Sequence, residues 1–502
     1  MRVAMTRRGR GRLWPALCLS GAVLAGASAR AEGNGQAVAD PHLPALPLSG
    51  AETTRAAAAL KPPADFSRPE PFETLSGGAA TLTGAVSTVD AFSRPSANMR
   101  APRTLDFELG KALFDKLWVA APASTRASDG LGPLYNARAC QDCHFRDGRG
   151  RLPAAPDART PGLVLRFSLP DQVYGVQLQD QAAPGQKAEG RVTVAYQERP
   201  VTLADGMVVS LRRPVYLVGD PAYGAPQSGG GLSPRLAPPM IGLGLLEAIP
   251  AADILAGDDA DDRNGDGISG RALLVWSEEF GRTMLGRFGL KAGMATVREQ
   301  VASALSVDMG LSSPLRADAA GDCTSAQAAC RDAPDGAEPG IRDGHELDGQ
   351  SLDLLTFYAR NLAVPARRNV DDPAVLRGKA IFHQSGCADC HRPKHVTARL
   401  KDRPEQDFQL IWPYTDLLLH DMGEGLADAG AGTAREWRTP PLWGLGLART
   451  VSGQAAYLHD GRARTLLEAI LWHDGEGIAG RDRAAALPTE DRDALISFLE
   501  SL

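Results

Sequence analysis

Neither sign of charge dominates this chain of 502 residues: 54 basic side chains stand against 60 acidic ones, a net charge of −6. With no basic excess to meet phosphates, no nucleic-acid partner is expected, and an anionic membrane surface is not favoured. Long apolar runs are scarce as well. Leu13–Ala27 is too short to cross a bilayer comfortably, and Pro238–Ala252 is interrupted by prolines and Glu247, so it reads as buried core. A soluble mature protein is expected. Cysteine is sparse, seven in all, which makes its placement informative. Apolar residues, at 43% of the chain, suffice for the cores of two to four domains.

The first residues differ from the rest. Arg7, Arg8, Arg10 and Arg12 precede the apolar run, and Ala29-Arg30-Ala31 forms a small-residue cleavage site. Residues 1–31 therefore read as a signal peptide for the general export route, with a periplasmic mature protein. Residues 32–100, rich in Ala, Pro, Ser and Thr without periodicity, read as a tether or irregular lead-in. A helical pattern begins at Leu105, with Leu109, Ala112, Leu113 and Leu117 apolar. From Gly162 to Val218 the pattern becomes alternation broken by Gly and Pro turns, a small β-rich insertion.

Two stretches echo each other. Gly110-Lys111-Ala112-Leu113-Phe114 resembles Gly378-Lys379-Ala380-Ile381-Phe382, and each precedes a Cys-x-x-Cys-His string. Leu354-Leu355-Thr356-Phe357-Tyr358 resembles Leu495-Ile496-Ser497-Phe498-Leu499, and each closes a segment. Three features recurring in the same order point to duplication.

The two strings are Cys140-Gln141-Asp142-Cys143-His144 and Cys387-Ala388-Asp389-Cys390-His391. Thiols at i and i+3 share one side of a helical turn and suit thioether bonds to haem vinyl groups; the adjacent imidazole suits the proximal iron position. Zinc is the alternative, but no second Cys/His knuckle accompanies either string. The expected cofactors are two covalent haem c groups, attached outside the cytoplasm in keeping with the signal peptide. Cys18 leaves with that peptide. Cys323 and Cys330 are expected to form a disulfide in an oxidising compartment, a redox-active thiol pair being the alternative. The expected fold is mainly α: a first cytochrome c-like haem domain over residues 101–365, carrying the 162–218 insertion, and a second over 366–502.

Around the strings lie Asp129-Gly130-Leu131-Gly132-Pro133-Leu134-Tyr135-Asn136, Arg146-Asp147-Gly148-Arg149-Gly150, Gly242–Pro250, Asp416–Gly423 and Glu436–Trp443. With these motifs, the chain from about residue 100 onward resembles the di-haem c-type oxidoreductase family of peroxidase-like proteins. More distantly it resembles the bacterial di-haem cytochrome c peroxidases and the methylamine-utilisation maturase. The resemblance implies a division of labour: one haem keeps an open distal face for peroxide, and the other is six-coordinate and relays electrons.

Carried over residue by residue, the likeness implies site roles. Tyr457-Leu458-His459-Asp460-Gly461 matches a Tyr-x-His-x-Gly string of the peroxidases, and the distal ligand fourteen residues beyond that His falls on His473. This implies His391/His473 ligation, with a lower potential than the usual methionine gives; Met422 is the rival ligand. Phe288–Ala292, Glu299-Gln300 and Asp308-Met309-Gly310 follow the order of the peroxidase distal pocket. The implied roles are Gln300 to hold bound peroxide and Asp308 to shift its proton. Two departures are plain: Asp replaces Glu at a shorter spacing, and Leu290 or a neighbour stands where an inter-haem Trp is usual. His420 and His459 are expected to hold propionates or carbonyls.

Asp262, Asn264 and Asp266 match the first half of a calcium loop, with Gly267 following, but position twelve is Leu273; an Asx-rich turn is the alternative. The leading functional expectation is a haem-dependent oxidoreductase, peroxidase-like, with electrons entering at the His391 haem and peroxide reduced at the His144 haem. Its partners would be a periplasmic electron donor (a small cytochrome, a cupredoxin or a quinol-linked protein) and peroxide or another small oxidant. The alternatives are a pure electron-transfer cytochrome, and an oxygenase or protein-modifying enzyme using the same iron chemistry.

Overall fold

A computed structural model describes residues 40–502, apart from residues 85, 156–157, 228–230 and 430–432. The signal peptide expected at 1–31 and the first part of the lead-in lie outside the described residues. All described residues belong to one compact unit, residues 37–502.

Two helix pairs give the molecule its frame. Helix α1 (Gly50–Ala59) is capped by Ser49 and lies in the lead-in. Helix α2 (Ala101–Asp115) opens on a proline in its first turn and buries Phe107, Gly110 and Phe114, one stripe at helical spacing. A stretch of loop and short strands separates it from the one-turn helix α3 (Cys140–Cys143). Helix α4 (Val297–Met309) is capped by Thr296, and α5 (Gly349–Arg360) by Asp348. In the second half, α6 (Pro373–Gln384) is capped by Asp372 and precedes the one-turn helix α7 (Cys387–Cys390). Helix α8 (Leu466–Leu471) is capped by Thr465, and α9 (Thr489–Ser501) closes the chain.

Helix α2 crosses α5, and α6 crosses α9, each at a glycine. A Cβ added at Gly110 would sit 2.3 Å from the Leu354 carbonyl oxygen, and one at Gly378 would sit 1.9 Å from that of Ala494. Only glycine allows backbones so close. Both glycines open the repeated Gly-Lys-Ala strings, so the duplication read from sequence is a duplicated helix crossing.

The expectation of a mainly α fold is wrong: 29% of the residues are helical and 18% are in strands, spread over many small sheets. The physical reason is that both attachment helices are single turns and much of the remainder is loop. Strands β1 (Leu163–Asp171), β2 (Gly175–Gln177) and β5 (Leu232–Leu236) form a three-stranded sheet with β1 central. Strands β3 (Arg191–Thr202) and β4 (Val208–Gly219) form a twelve-pair antiparallel hairpin. In the second half, β6 (Leu419–Asp421) pairs with β7 (Glu436–Arg438).

The hairpin reaches far along the chain. Its tip residues Leu203 and Leu211 join the core built by Trp412, Leu466, Trp472 and Phe498. There Asp205 accepts from Arg492 Nη2 at 2.8 Å and from Thr489 Oγ1 at 2.9 Å. A second core surrounds Phe107, Phe114, Leu305, Met309 and Tyr358. A third draws on both parts of the chain, joining Ile241, Leu245, Phe288 and Val297 to Leu417, Trp443 and Val451.

Candidate functional site

At the first string, α3 is held by Asp142, whose Oδ2 accepts from the N–H of Ala139 at 3.2 Å. His144 lies with Nδ1 2.8 Å from the Pro238 carbonyl oxygen. A carbonyl only accepts, so Nδ1 bears the proton and Nε2 is left as the ligand atom. The Asp147 carbonyl accepts from Met240 N–H at 2.9 Å and so ties down the segment that carries Pro238. Arg146 and Asp147 both take left-handed backbone angles, φ 53° and 59°, a conformation that costs non-glycine residues of order 1 kcal/mol or more. The buried Asp147 carboxyl, accepting from Tyr358 Oη at 2.8 Å, is pushed up to about 6 by burial.

The second string repeats this plan. His391 Nδ1 lies 3.1 Å from the Tyr414 carbonyl oxygen, again leaving Nε2. Opposite it stands His473, whose Nδ1 is 2.8 Å from the Ala469 carbonyl oxygen. The two ring centres are 6.4 Å apart. Iron–nitrogen bonds of roughly 2 Å on opposite faces of one metal place two imidazole centres about 6 Å apart. Burial first and His473 second push His391 down to about 4, so it is neutral, the form that ligates a metal. Met422, the rival ligand, packs instead against the core around Trp472.

Among the described residues His144 has no such imidazole partner. Its one ring neighbour among the described residues is Phe114, at 6.3 Å.

His420 sits between two carboxylates, with Nε2 2.8 Å from Asp416 and Nδ1 2.6 Å from Glu476. Burial opposes its charge, but hydrogen bonds with Asp416, Cys390 and Glu476 outweigh that and push it up to about 12. A protonated ring cannot ligate iron. His459 is stacked on Trp437 at 3.8 Å and 14°, and burial pushes it down to about 3. Arg235 and Lys291 flank the same Trp437 ring at 4.5 and 3.7 Å.

Gln300 and Asp308 both lie on α4, but the structure does not bring them together. Eight residues along a continuous helix are a rise of about 12 Å, too far for both to hold one O–O group. Asp308 belongs to the first string: its charge, after burial, helps push the Cys143 and Cys140 thiols up, Cys140 to about 12. Its Oδ1 accepts from Gln177 Nε2 at 2.7 Å, and Gln177 also donates to Asn136. Gln177, on β2, was not foreseeable, because its role depends on the sheet folding back over α4. Glu299 turns the other way, accepting from Ser277 Oγ at 2.7 Å in the core.

Asp262, Asn264 and Asp266 lie on an exposed turn and spend oxygens on their own backbone. Asp262 accepts from Gly267 N–H at 3.2 Å, Asn264 from Asp266 N–H and Asp266 from Ile268 N–H, both at 2.9 Å. Among the described residues no group of three or more His, Cys, Asp or Glu side chains is arranged to hold a metal ion. Cys323 and Cys330 form a disulfide.

The residues fit haem. Each string presents two free thiols and an imidazole with Nδ1 engaged. Arg149 Nε, Trp443 Nε1 and Trp472 Nε1 are buried donors without an acceptor among the described residues, the kind of group that propionates would satisfy.

Comparison with known proteins gives one family. The family model described as "Di-haem oxidoreductase, putative peroxidase" matches residues 72–176 and 172–502. No curated protein matches. Among solved structures, hydrazine synthase of Kuenenia stuttgartiensis under xenon pressure aligns at 14% identity, covering 82% of this chain and 91% of that chain. Its TM-score is 0.33, too low to support an argument.

Proposed function

This chain belongs to the di-haem oxidoreductase family, and from that premise we propose a periplasmic peroxidase-like enzyme with two covalent haem c groups of unequal ligation. One is held by Cys140, Cys143 and His144, the other by Cys387, Cys390, His391 and His473. The observation that supports this reading is that a second imidazole, His473, stands 6.4 Å from His391, whereas among the described residues no second imidazole is in ring contact with His144.

Haem at these positions would supply the redox-active iron for reducing peroxide, with electrons stored at the second site and used at the first. The chain's own residues do the rest. Pro238 and Tyr414 fix the tautomer and direction of the two imidazoles. Gln177 holds Asp308 by Oδ1, leaving Oδ2 to take a proton from bound peroxide and return it to the leaving oxygen. Gln300, farther along α4, lines the approach. His473 as a second imidazole would hold the potential of a haem bound there below that given by a methionine. The donor would be a small cytochrome, a cupredoxin or a quinol-linked protein, and the oxidant peroxide or a similarly small molecule. Calcium at Asp262, Asn264 and Asp266 remains part of the proposal, to be tested by chelation.

The ferric spectrum of the holoprotein is the test. A high-spin component that shifts on adding cyanide or peroxide supports the reading. Two low-spin haems, inert to both, would make the protein an electron-transfer cytochrome instead.

A further inference from the structure

The two sites are built on segments that share one register. Residues 288–302 correspond to 457–471, each second-half residue being numbered 169 above its counterpart; beyond Leu471 α8 ends while α4 runs on to Met309, and the same offset is carried forward by numbering. An isolated antiparallel bridge joins Phe288 to Met294, and another joins Tyr457 to Ala463. Inside each loop the same two positions take left-handed angles: Gly289 and Ala292 at φ 76° and 52°, Leu458 and Gly461 at φ 68° and 76°. The loops lead into matching caps. Thr296 Oγ1 accepts from Glu299 N–H, and Thr465 Oγ1 from Glu468 N–H, both at 3.1 Å. Bridge, two unusual backbone angles, cap and first helical turn coincide at one offset, which chance similarity does not produce.

In this register the counterpart of His473 is Ala304, and the counterpart of Gly477 is Asp308. At the second site Gly477 makes room for the ligand: a Cβ there would lie 3.1 Å from His473 Cβ. At the first site the pair is reversed, with a methyl where the imidazole stands and a carboxylate where the glycine stands.

We infer that Ala304 is the residue that leaves the sixth coordination position at the first site open to a small exogenous ligand, with Asp308 beside that opening. This rests on the reading that His144 ligates haem. Gln300, Ala304 and Asp308 are half-buried along one face of α4, whereas Ala302, Leu305 and Met309 on the opposite face enter the core. The end of α4 that carries Asp308 abuts the segment leading into the first string, the Asp308 carbonyl accepting from the N–H groups of Asn136 and Ala137 at 2.9 and 3.2 Å. The ligand class is small: peroxide, or cyanide as its probe. An alanine leaves space without donating an electron pair, and the acid one turn further along α4 can exchange a proton with what enters.

The test moves the second site's pair into the first. Holoprotein carrying Ala304→His with Asp308→Gly, checked for two haems per chain by pyridine haemochrome, is examined by ferric absorption, electron paramagnetic resonance and cyanide titration. The expected outcome is loss of the high-spin signal and a fall in cyanide affinity of about 100-fold or more, because a tethered imidazole competes at high effective concentration. If that variant does not fold, Ala304→Leu serves in its place: it fills the space without a ligand atom, so the iron stays high-spin while cyanide affinity falls at least tenfold. Wild-type protein with a cyanide-binding high-spin haem that neither substitution alters overturns the role of Ala304 and leaves the open-site reading standing. Wild-type protein with no high-spin haem overturns both.

Discussion

Around His144, Phe114 stands at 6.3 Å and the Pro238 carbonyl holds Nδ1 at 2.8 Å; around His391, Phe382 stands at 6.4 Å and the Tyr414 carbonyl holds Nδ1 at 3.1 Å. Behind each phenylalanine lies an aromatic from the closing helix, Tyr358 in one half and Phe498 in the other, at 5.2 and 5.1 Å. The proximal sides are thus near copies. The halves part on the other side, at Ala304 and Asp308 against His473 and Gly477, and in what lies three residues past the histidine. There the first half buries Asp147 under Tyr358, and the second buries Lys394 against Glu70. A duplicated scaffold can keep one way of orienting an imidazole while its opposite wall diverges, because these walls come from separate helices with separate packing.

The largest expected effect breaks the comparison by deleting one side. Cys387→Ala with Cys390→Ala should leave one haem per chain by pyridine haemochrome, and the matching change at Cys140 and Cys143 should leave the other. If either double variant keeps both haems, the two strings are not equivalent attachment sites.

Next comes the chemistry assigned to the first side. Asp308→Asn keeps an acceptor for Gln177 but loses the base, so peroxide turnover should slow by ~10²–10⁴-fold with haem content unchanged. An Asp308→Asn enzyme of full activity would remove the carboxylate from the mechanism.

On the second side, His473→Ala should create a new high-spin, cyanide-binding haem, and His473→Met should keep it low-spin while raising its potential. No spectral change in either variant would point back to Met422.

The helix crossings should respond alike. Gly110→Ala and Gly378→Ala each force two backbones apart, and each should cost about 1–3 kcal/mol in urea denaturation. A large cost at one crossing and none at the other would mean that only one closing helix packs tightly in solution.

The last effect is a pH dependence arising in the first half. The Asp147 carboxyl, with a folded value near 6 against the ordinary 3.8, favours folding in its protonated form. Its contribution is therefore full below pH ~4 and is lost as the pH rises through 6, amounting to about 2–3 kcal/mol. Asp147→Asn should flatten the stability curve over that interval, and an unchanged slope would assign the effect elsewhere.

Much of this was legible in residue order, and the misses have physical causes. The attachment strings, the repeated glycine-led helix and the disulfide pair are local patterns whose geometry follows from spacing along a helix turn or loop. The mainly α expectation failed because two four-residue helices carry the most visible motif yet add little helix, while the alternation after Gly162 continues through Leu236 and supplies the long hairpin. Gln300 and Asp308 look like a pair in sequence order, but an unbroken α4 holds them about 12 Å apart along its axis.

By itself, then, the sequence displayed two Cys-x-x-Cys-His strings and the repeated helix ahead of each, because such spacing is written in consecutive residues. Only the tertiary structure decided which imidazole faces His391 and which carbonyls orient the two histidines. Those outcomes depend on backbone atoms that every residue shares and on contacts between segments as far apart as His144 and Pro238, which no local pattern encodes.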